Sequence, residues 1–173
     1  AAAENLTPIT LELGGKNPNV IFADCDYEKM LSTTMLSSFA NQGQICLCGS
    51  RIYVEKSIYE KFKKDFVEKT KALVVGNPLH DDTKIGAVVS KPHQEKILSY
   101  VELAKKEGGT VLCGGHAIKL EGELSEGYYI APTVIEGLAH TCRTNQEEIF
   151  GPVVTIMPFD TEEQALEMAN STR

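Results

Sequence analysis

Two short stretches of this chain place reactive side chains in settings that suit chemistry. Glu12 stands in Leu11-Glu12-Leu13-Gly14-Gly15-Lys16, near the end of an alternating apolar run. The two glycines after it allow a sharp turn and close approach by another group. Cys46 ends Phe39-Ala40-Asn41-Gln42-Gly43-Gln44-Ile45-Cys46, where glycine and side-chain amides mark a loop. A thiol attacks as its thiolate, and an ordinary pKa of about 8.5 leaves it in need of a base or a favourable setting. A carboxylate meeting it in space would complete a covalent catalyst with its own general base. No histidine lies near Cys46 in sequence, so a thiol–imidazole pair has no local support. Cys48, two residues on, is an alternative reactive thiol that spacing alone does not separate from Cys46. Taken singly, a strand-end carboxylate is usually just solvated, and a cysteine is usually a small core residue, which suits Cys25, Cys113 and Cys142. A third string, Glu147-Glu148-Ile149-Phe150-Gly151-Pro152, sets adjacent acids and an aromatic before a Gly-Pro turn. Alone it reads equally well as a surface loop.

Several other chemistries are excluded. Gly15-Lys16 is not a phosphate loop, since such a loop needs a glycine where Ile9 or Thr10 stands and Ser or Thr where Asn17 stands. Cys46-Leu47-Cys48 is the one close cysteine pair, and His80, His93, His116 and His140 are scattered, so no metal site is expected. A net charge of -7 argues against nucleic acid or an anionic membrane surface as partner. No apolar run approaches the roughly 20 residues of a membrane span, and no secretory signal opens the chain. Without such a signal, Asn5-Leu6-Thr7 and Asn170-Ser171-Thr172 are chance matches to a glycosylation acceptor. Five cysteines at irregular spacing suit a reducing compartment, so the cytoplasm is expected, with an organelle left open.

The elements that must position these residues follow from pattern. Short runs rich in Val, Ile and Tyr alternate with helical periodicity, which predicts an α/β fold with a largely parallel sheet flanked by helices. Expected strands are 9–13, 19–22, 51–54, 110–112, 130–134 and 153–158. A helix is expected from about Asp26 to Ala40, with Tyr27, Met30, Leu31, Met35, Leu36 and Phe39 on one face. A second opens with a capping box at Ser57-Ile58-Tyr59-Glu60 and buries Tyr59, Phe62 and Phe66. A third follows Ser90-Lys91-Pro92 and stops at Gly108-Gly109. A fourth opens with Thr161-Glu162-Glu163-Gln164 and is still running near Asn170. Both ends read as cuts through a larger protein.

The three strings, in this order, resemble the catalytic region of the aldehyde dehydrogenase superfamily. That family shows a Leu-Glu-Leu-Gly-Gly-Lys segment, a Phe-x-x-x-Gly-Gln-x-Cys-x-x-x-x-Arg segment, here Phe39 to Arg51, and a Glu-Glu-x-Phe-Gly-Pro-Val segment, here Glu147 to Val153. The resemblance covers nearly the whole chain. It implies that Cys46 is the nucleophile, forming a thiohemiacetal and then a thioester as hydride passes to nicotinamide, and that Glu12 is the general base. It implies contacts to the nicotinamide-ribose part of NAD or NADP from Glu148 and Phe150, and a backbone contact from Leu13. It further implies that residues 1–16 are the last strand of a cofactor domain with its hinge, and that 17–173 are a catalytic domain truncated at its C-terminal end. A small-molecule aldehyde as substrate and a homo-oligomeric parent follow too. Upstream family elements, an oxyanion-donating asparagine and the pyrophosphate-binding turns, have no counterpart here, and no Gly-x-Gly-x-x-Gly replaces them. The chain alone is therefore expected to be inactive or nearly so. Gly43 to Cys48 and Leu13 to Pro18 resemble the branch acting on aminomuconic or hydroxymuconic semialdehydes. The rivals are a coenzyme-A-acylating semialdehyde dehydrogenase, whose members tend to lack this glutamate, and a non-catalytic structural protein on the same scaffold.

Overall fold

The computed structural model describes residues 2–172. A five-stranded sheet runs through it in the order β1 (Pro18–Ile21), β2 (Arg51–Glu55), β7 (Val153–Phe159), β6 (Thr133–Glu136), β3 (Thr110–Cys113). The β1–β2, β2–β7 and β7–β6 pairs are parallel and β3 is an antiparallel edge, so the sheet is largely parallel as expected. A separate pair, β4 (Ala117–Ile118) with β5 (Tyr129–Ile130), is antiparallel.

Helices cover both faces because the central strands are apolar on both sides. On one face Ile52 and Val54 of β2 meet α1 (Tyr27–Phe39) and α2 (Lys56–Lys71) through Leu31, Phe39, Phe62 and Phe66. On the opposite face, towards β6, Ile135 and Val153 pack on α3 (Lys91–Lys106) through Ile97, Val101 and Ala104. On that same face Tyr53, Met157 and Phe159 pack against Ala165 and Met168 of α5 (Glu162–Ala169). A single turn, α4 (Arg143–Gln146), precedes β7.

Local signals place three helix starts correctly. Asp26 accepts from Lys29 N, Ser90 from His93 N and Thr161 from Gln164 N, each satisfying a first-turn N–H. The capping box at Ser57 does not form. The helix starts one residue earlier, directly from β2, and the Ser57 hydroxyl donates to Glu55 Oε1 instead. Leu36 is also misassigned, since it is exposed while Leu31 and Phe39 are buried. The expected strand over 130–134 is two strands, broken at Ala131-Pro132, because proline has no N–H for the ladder.

The expected strand over 9–13 is absent. Residues 8–17 hold no regular element, and Ile9, Leu11 and Leu13 are 65%, 67% and 73% exposed. Alternation alone makes no strand, which exists only when a neighbour takes up its hydrogen bonds.

Candidate active site

The three strings come together for a topological reason. Each stands immediately before one of three adjacent parallel strands: 12–16 before β1, 46–50 before β2, 147–151 before β7. Parallel neighbours begin at the same sheet edge, so segments far apart in sequence share that edge. A cleft of about 530 Å³ opens there, lined by Glu12, Leu13, Gly14, Gln44, Ile45, Cys46, His93, Lys96, Glu148 and Phe150. All five residues singled out from the sequence line it.

Cys46 is carried by a strained loop. After α1, Asn41 (φ 48°) and Gln42 (φ 59°) are left-handed and Gly43 follows at φ 70°. Left-handed non-glycine residues cost about 1–3 kcal/mol each and persist where surroundings over-determine them. Here amide side chains do so: Gln42 Oε1 accepts from Gly86 N (3.1 Å), Gln42 Nε2 donates to Ala87 O (3.3 Å), and Gln44 Oε1 accepts from Val89 N (3.1 Å). Gly43 lies against the Gly151 carbonyl, where a Cβ would collide. The loop therefore stands fixed against the Phe150–Pro152 turn and presents the Cys46 side chain, which is exposed. Cys48 is buried, and burial pushes its thiol pKa up. That separates the two thiols which spacing left equal: Cys46 faces the cleft as an accessible group, and Cys48 is a core residue.

The adjacent acids diverge. Glu147 takes a bidentate Arg143 (both 2.9 Å) and the Tyr100 hydroxyl (2.7 Å), and it holds α4 to α3. Glu148 turns the other way, and its Oε1 accepts from Gly15 N at 2.9 Å. A Cβ on Gly14 would collide with that carboxylate, so the glycine pair after Glu12 is what lets Glu148 approach. Phe150 is left-handed (φ 60°), with its carbonyl 2.6 Å from His93 Nε2, which therefore carries the proton.

His93 and Lys96 are cleft residues that motif reading missed. The signal was present in the Ser90 cap, which puts His93 in the first turn of α3 and Lys96 one turn on along the same face. Lys16 was missed as well. It is buried, its ammonium has no hydrogen-bond partner among the described residues, and its pKa falls to about 7. Burial is the main cause and the nearby Arg51 guanidinium adds to it, while Cys142 and Glu148 oppose. Arg51 is itself fully buried and donates to Lys16 O, Tyr53 Oη and the α5 carbonyls of Met168 and Ala169. Its charge sits at a helix C-terminus, where a cation is favoured.

No cluster of three or more His, Cys, Asp or Glu suited to a metal occurs among the described residues, and no helix is long and apolar enough to cross a membrane. The site thus consists of an accessible thiol, two carboxylates, an imidazole, an ammonium and an apolar wall. That set suits covalent chemistry at a carbonyl carbon.

Known proteins share this fold. The chain is 48% identical over 173 residues to a 2-aminomuconic 6-semialdehyde dehydrogenase of Pseudomonas sp, covering all of this chain and 35% of that protein. Human 4-trimethylaminobutyraldehyde dehydrogenase is 41% identical over 172 residues, with 99% and 35% covered. The crystal structure of Staphylococcus aureus betaine aldehyde dehydrogenase in complex with NAD+ superposes with a TM-score of 0.91 at 42% identity, covering 99% of this chain and 34% of that one. A point mutant of that enzyme, with NAD+ and a BME-modified cysteine, also superposes with a TM-score of 0.91. The chain spans about a third of the length of these relatives. The model of the aldehyde dehydrogenase family matches residues 1–173 from end to end, and this chain belongs to that family.

Proposed function

We propose that the protein oxidises an aldehyde or semialdehyde to the carboxylate with NAD or NADP, using Cys46 as nucleophile and Glu12 as general base. The observation that carries this reading is the meeting of an exposed Cys46 with Glu12 and Glu148 in one cleft, while the neighbouring Cys48 is buried. Cys46 Sγ, as thiolate, adds to the carbonyl carbon and gives a thiohemiacetal. The Cys46 N–H supplies one donor to the oxygen that becomes negative. A nicotinamide held against Leu13, Glu148 and Phe150 would accept the hydride that this adduct must lose from its carbon to become the thioester. Water activated by Glu12 then attacks the thioester carbon, Glu12 takes one of its protons, the C–S bond breaks to return the Cys46 thiolate, and the carboxylic acid formed gives up its remaining proton to solvent.

The cleft suits the nicotinamide-ribose part of such a cofactor. Leu13, Ile45 and Phe150 form an apolar wall for a flat ring, and the Glu148 carboxylate, oriented by Gly15 N–H, offers an acceptor for ribose hydroxyls. Residues 1–16 belong, on this reading, with a cofactor-binding unit and 17–173 with the catalytic domain. The exposed row Ile9, Leu11 and Leu13 supports that division, since it is an apolar face in want of cover. The substrate class is a small aldehyde, with a muconic semialdehyde favoured by the identity to the Pseudomonas enzyme. A homo-oligomeric protein of the cytoplasm completes the proposal.

Replacing Cys46 by serine in the intact protein, followed as NADH formation, should lower turnover by about 10³-fold or more, and Cys48→Ser should leave it nearly unchanged. Full activity in Cys46→Ser would sink the nucleophile assignment. Product analysis distinguishes the rivals. Free acid without coenzyme A supports Glu12-assisted hydrolysis, strict coenzyme A dependence supports acylation, and no turnover of any aldehyde supports a structural protein. Residues 1–173 alone should form NADH at a negligible rate, and steady formation would overturn that part.

A further inference from the structure

Asn17 makes contacts that the chemistry above leaves unused. It stands between the Glu12 hinge and β1, and its side-chain nitrogen donates to Cys46 O at 2.6 Å and to Cys48 O at 3.2 Å. Both partners are carbonyl oxygens and can only accept, so the amide must present its NH₂ end to them. Cys46 is the second residue of a tight turn closed by Cys48 N donating to Ile45 O at 3.0 Å. The carbonyl of that second residue has no partner within the turn. Asn17 is what satisfies it.

Asn17 is in turn held at its main chain. Its carbonyl accepts from Arg51 N at 3.2 Å, and the preceding Lys16 carbonyl accepts from the buried Arg51 Nε at 2.8 Å. Its Oδ1 sits 3.0 Å from where a Gly15 Cβ would be, which the bare Gly15 tolerates. Gly15 N–H meanwhile holds the Glu148 carboxylate at 2.9 Å. Three consecutive residues, Gly15 to Asn17, therefore touch Glu148 on one side and the peptide after the thiol on the other. A cysteine side chain has one torsion, so a fixed backbone leaves Sγ only three staggered places.

We propose that Asn17 is a positioning residue for Cys46: by gripping the Cys46 and Cys48 carbonyls it fixes the turn backbone and sets Sγ in register with Glu148 across the cleft. This inference rests on Cys46 being the nucleophile. A tether that merely stabilised the loop would act on folding; a register device acts on the thiol.

The test uses the intact protein and three variants, Asn17→Ala, Asn17→Ser and Cys46→Ser, with turnover, cofactor KM, melting temperature and the rate of iodoacetamide labelling at residue 46. In Asn17→Ala, turnover should fall about 10- to 100-fold with cofactor KM within about twofold, as expected when a reacting group is misplaced by a fraction of an ångström to one ångström. The labelling rate at Cys46 should change by several-fold, and Asn17→Ser, which keeps one donor, should recover part of both losses. Unchanged turnover and labelling in Asn17→Ala would overturn the proposal. So would a joint fall of turnover, cofactor affinity and melting temperature that Asn17→Ser does not relieve. Full turnover in Cys46→Ser would sink the nucleophile reading instead. Labelling is read without substrate, so it would still report whether Asn17 sets the thiol.

Discussion

Residues 41–48 and residues 8–14 carry the proposed nucleophile and base, and they are held in opposite ways. The thiol loop contains three successive left-handed residues, yet side-chain amides from Asn17, Asn41, Gln42 and Gln44 bond it to the hinge, itself and the 86–89 segment. Residues 8–14 make no hydrogen bond among the described residues, and their alternating leucines and isoleucine are exposed. Strain is affordable in the first because many bonds over-determine it. The second is unstrained and, among the described residues, unfixed. The fold thus fixes Cys46 from within these 173 residues and fixes Glu12 only from Gly15 onward.

That contrast can be broken at four points. Glu12→Gln carries the largest expected effect. In the intact protein kcat should fall about 10²- to 10⁴-fold, the range of a lost general base. Melting should hardly move, because Glu12 is exposed and unbonded among the described residues. A lowered melting temperature with intact turnover would invert the roles of the two regions. Gly43→Ala comes next, since a side chain there must adopt a left-handed φ of 70° and collide with the Gly151 carbonyl. Urea unfolding should show a loss of about 3 kcal/mol.

Lys16→Met probes the junction between the two regions. With a folded pKa of about 7 against about 10.4 unfolded, the unfolded chain binds more protons between those values, so native stability rises with pH across that window. Below pH 7 both states are protonated and the full cost of the buried cation is present. Lys16→Met should therefore be more stable than the natural protein at pH 7 by about 2 kcal/mol or more, with the gap closing towards pH 10. A gap that stays constant from pH 6 to pH 10 would mean that Lys16 is charged throughout. The smallest effect belongs to Gln42→Ala, which removes two hydrogen bonds from the thiol loop. A loss of about 1–2 kcal/mol and faster proteolytic cutting near residues 40–44 are expected.

What could be read in advance was what is local. The Asp26, Ser90 and Thr161 caps act within four residues, and the apolar strand runs seek burial wherever they lie, so the parallel sheet and its helices were visible. Ser57 misled because Glu55, two residues back, competes for its hydroxyl. Residues 9–13 misled because a strand is a relation between two segments and only one was in view. His93 and Lys96 went unnoticed because their role comes from the end of α3 lying against the 148–150 turn.

By itself the sequence determined which groups are present and in what order: a carboxylate on a glycine hinge, two cysteines after an amide-rich loop, a pair of acids before a Gly-Pro turn. It also determined the family, since three ordered strings carry that likeness. Tertiary structure alone decided that Cys46 is accessible and Cys48 is not, that Glu148 faces the cleft while Glu147 ties α4 to α3, and that Lys16 is buried without a hydrogen-bond partner among the described residues. The reason is common to all three. Burial and hydrogen-bond partnership depend on what the other strands bring alongside, and only the β1–β2–β7 order brings these segments to one edge.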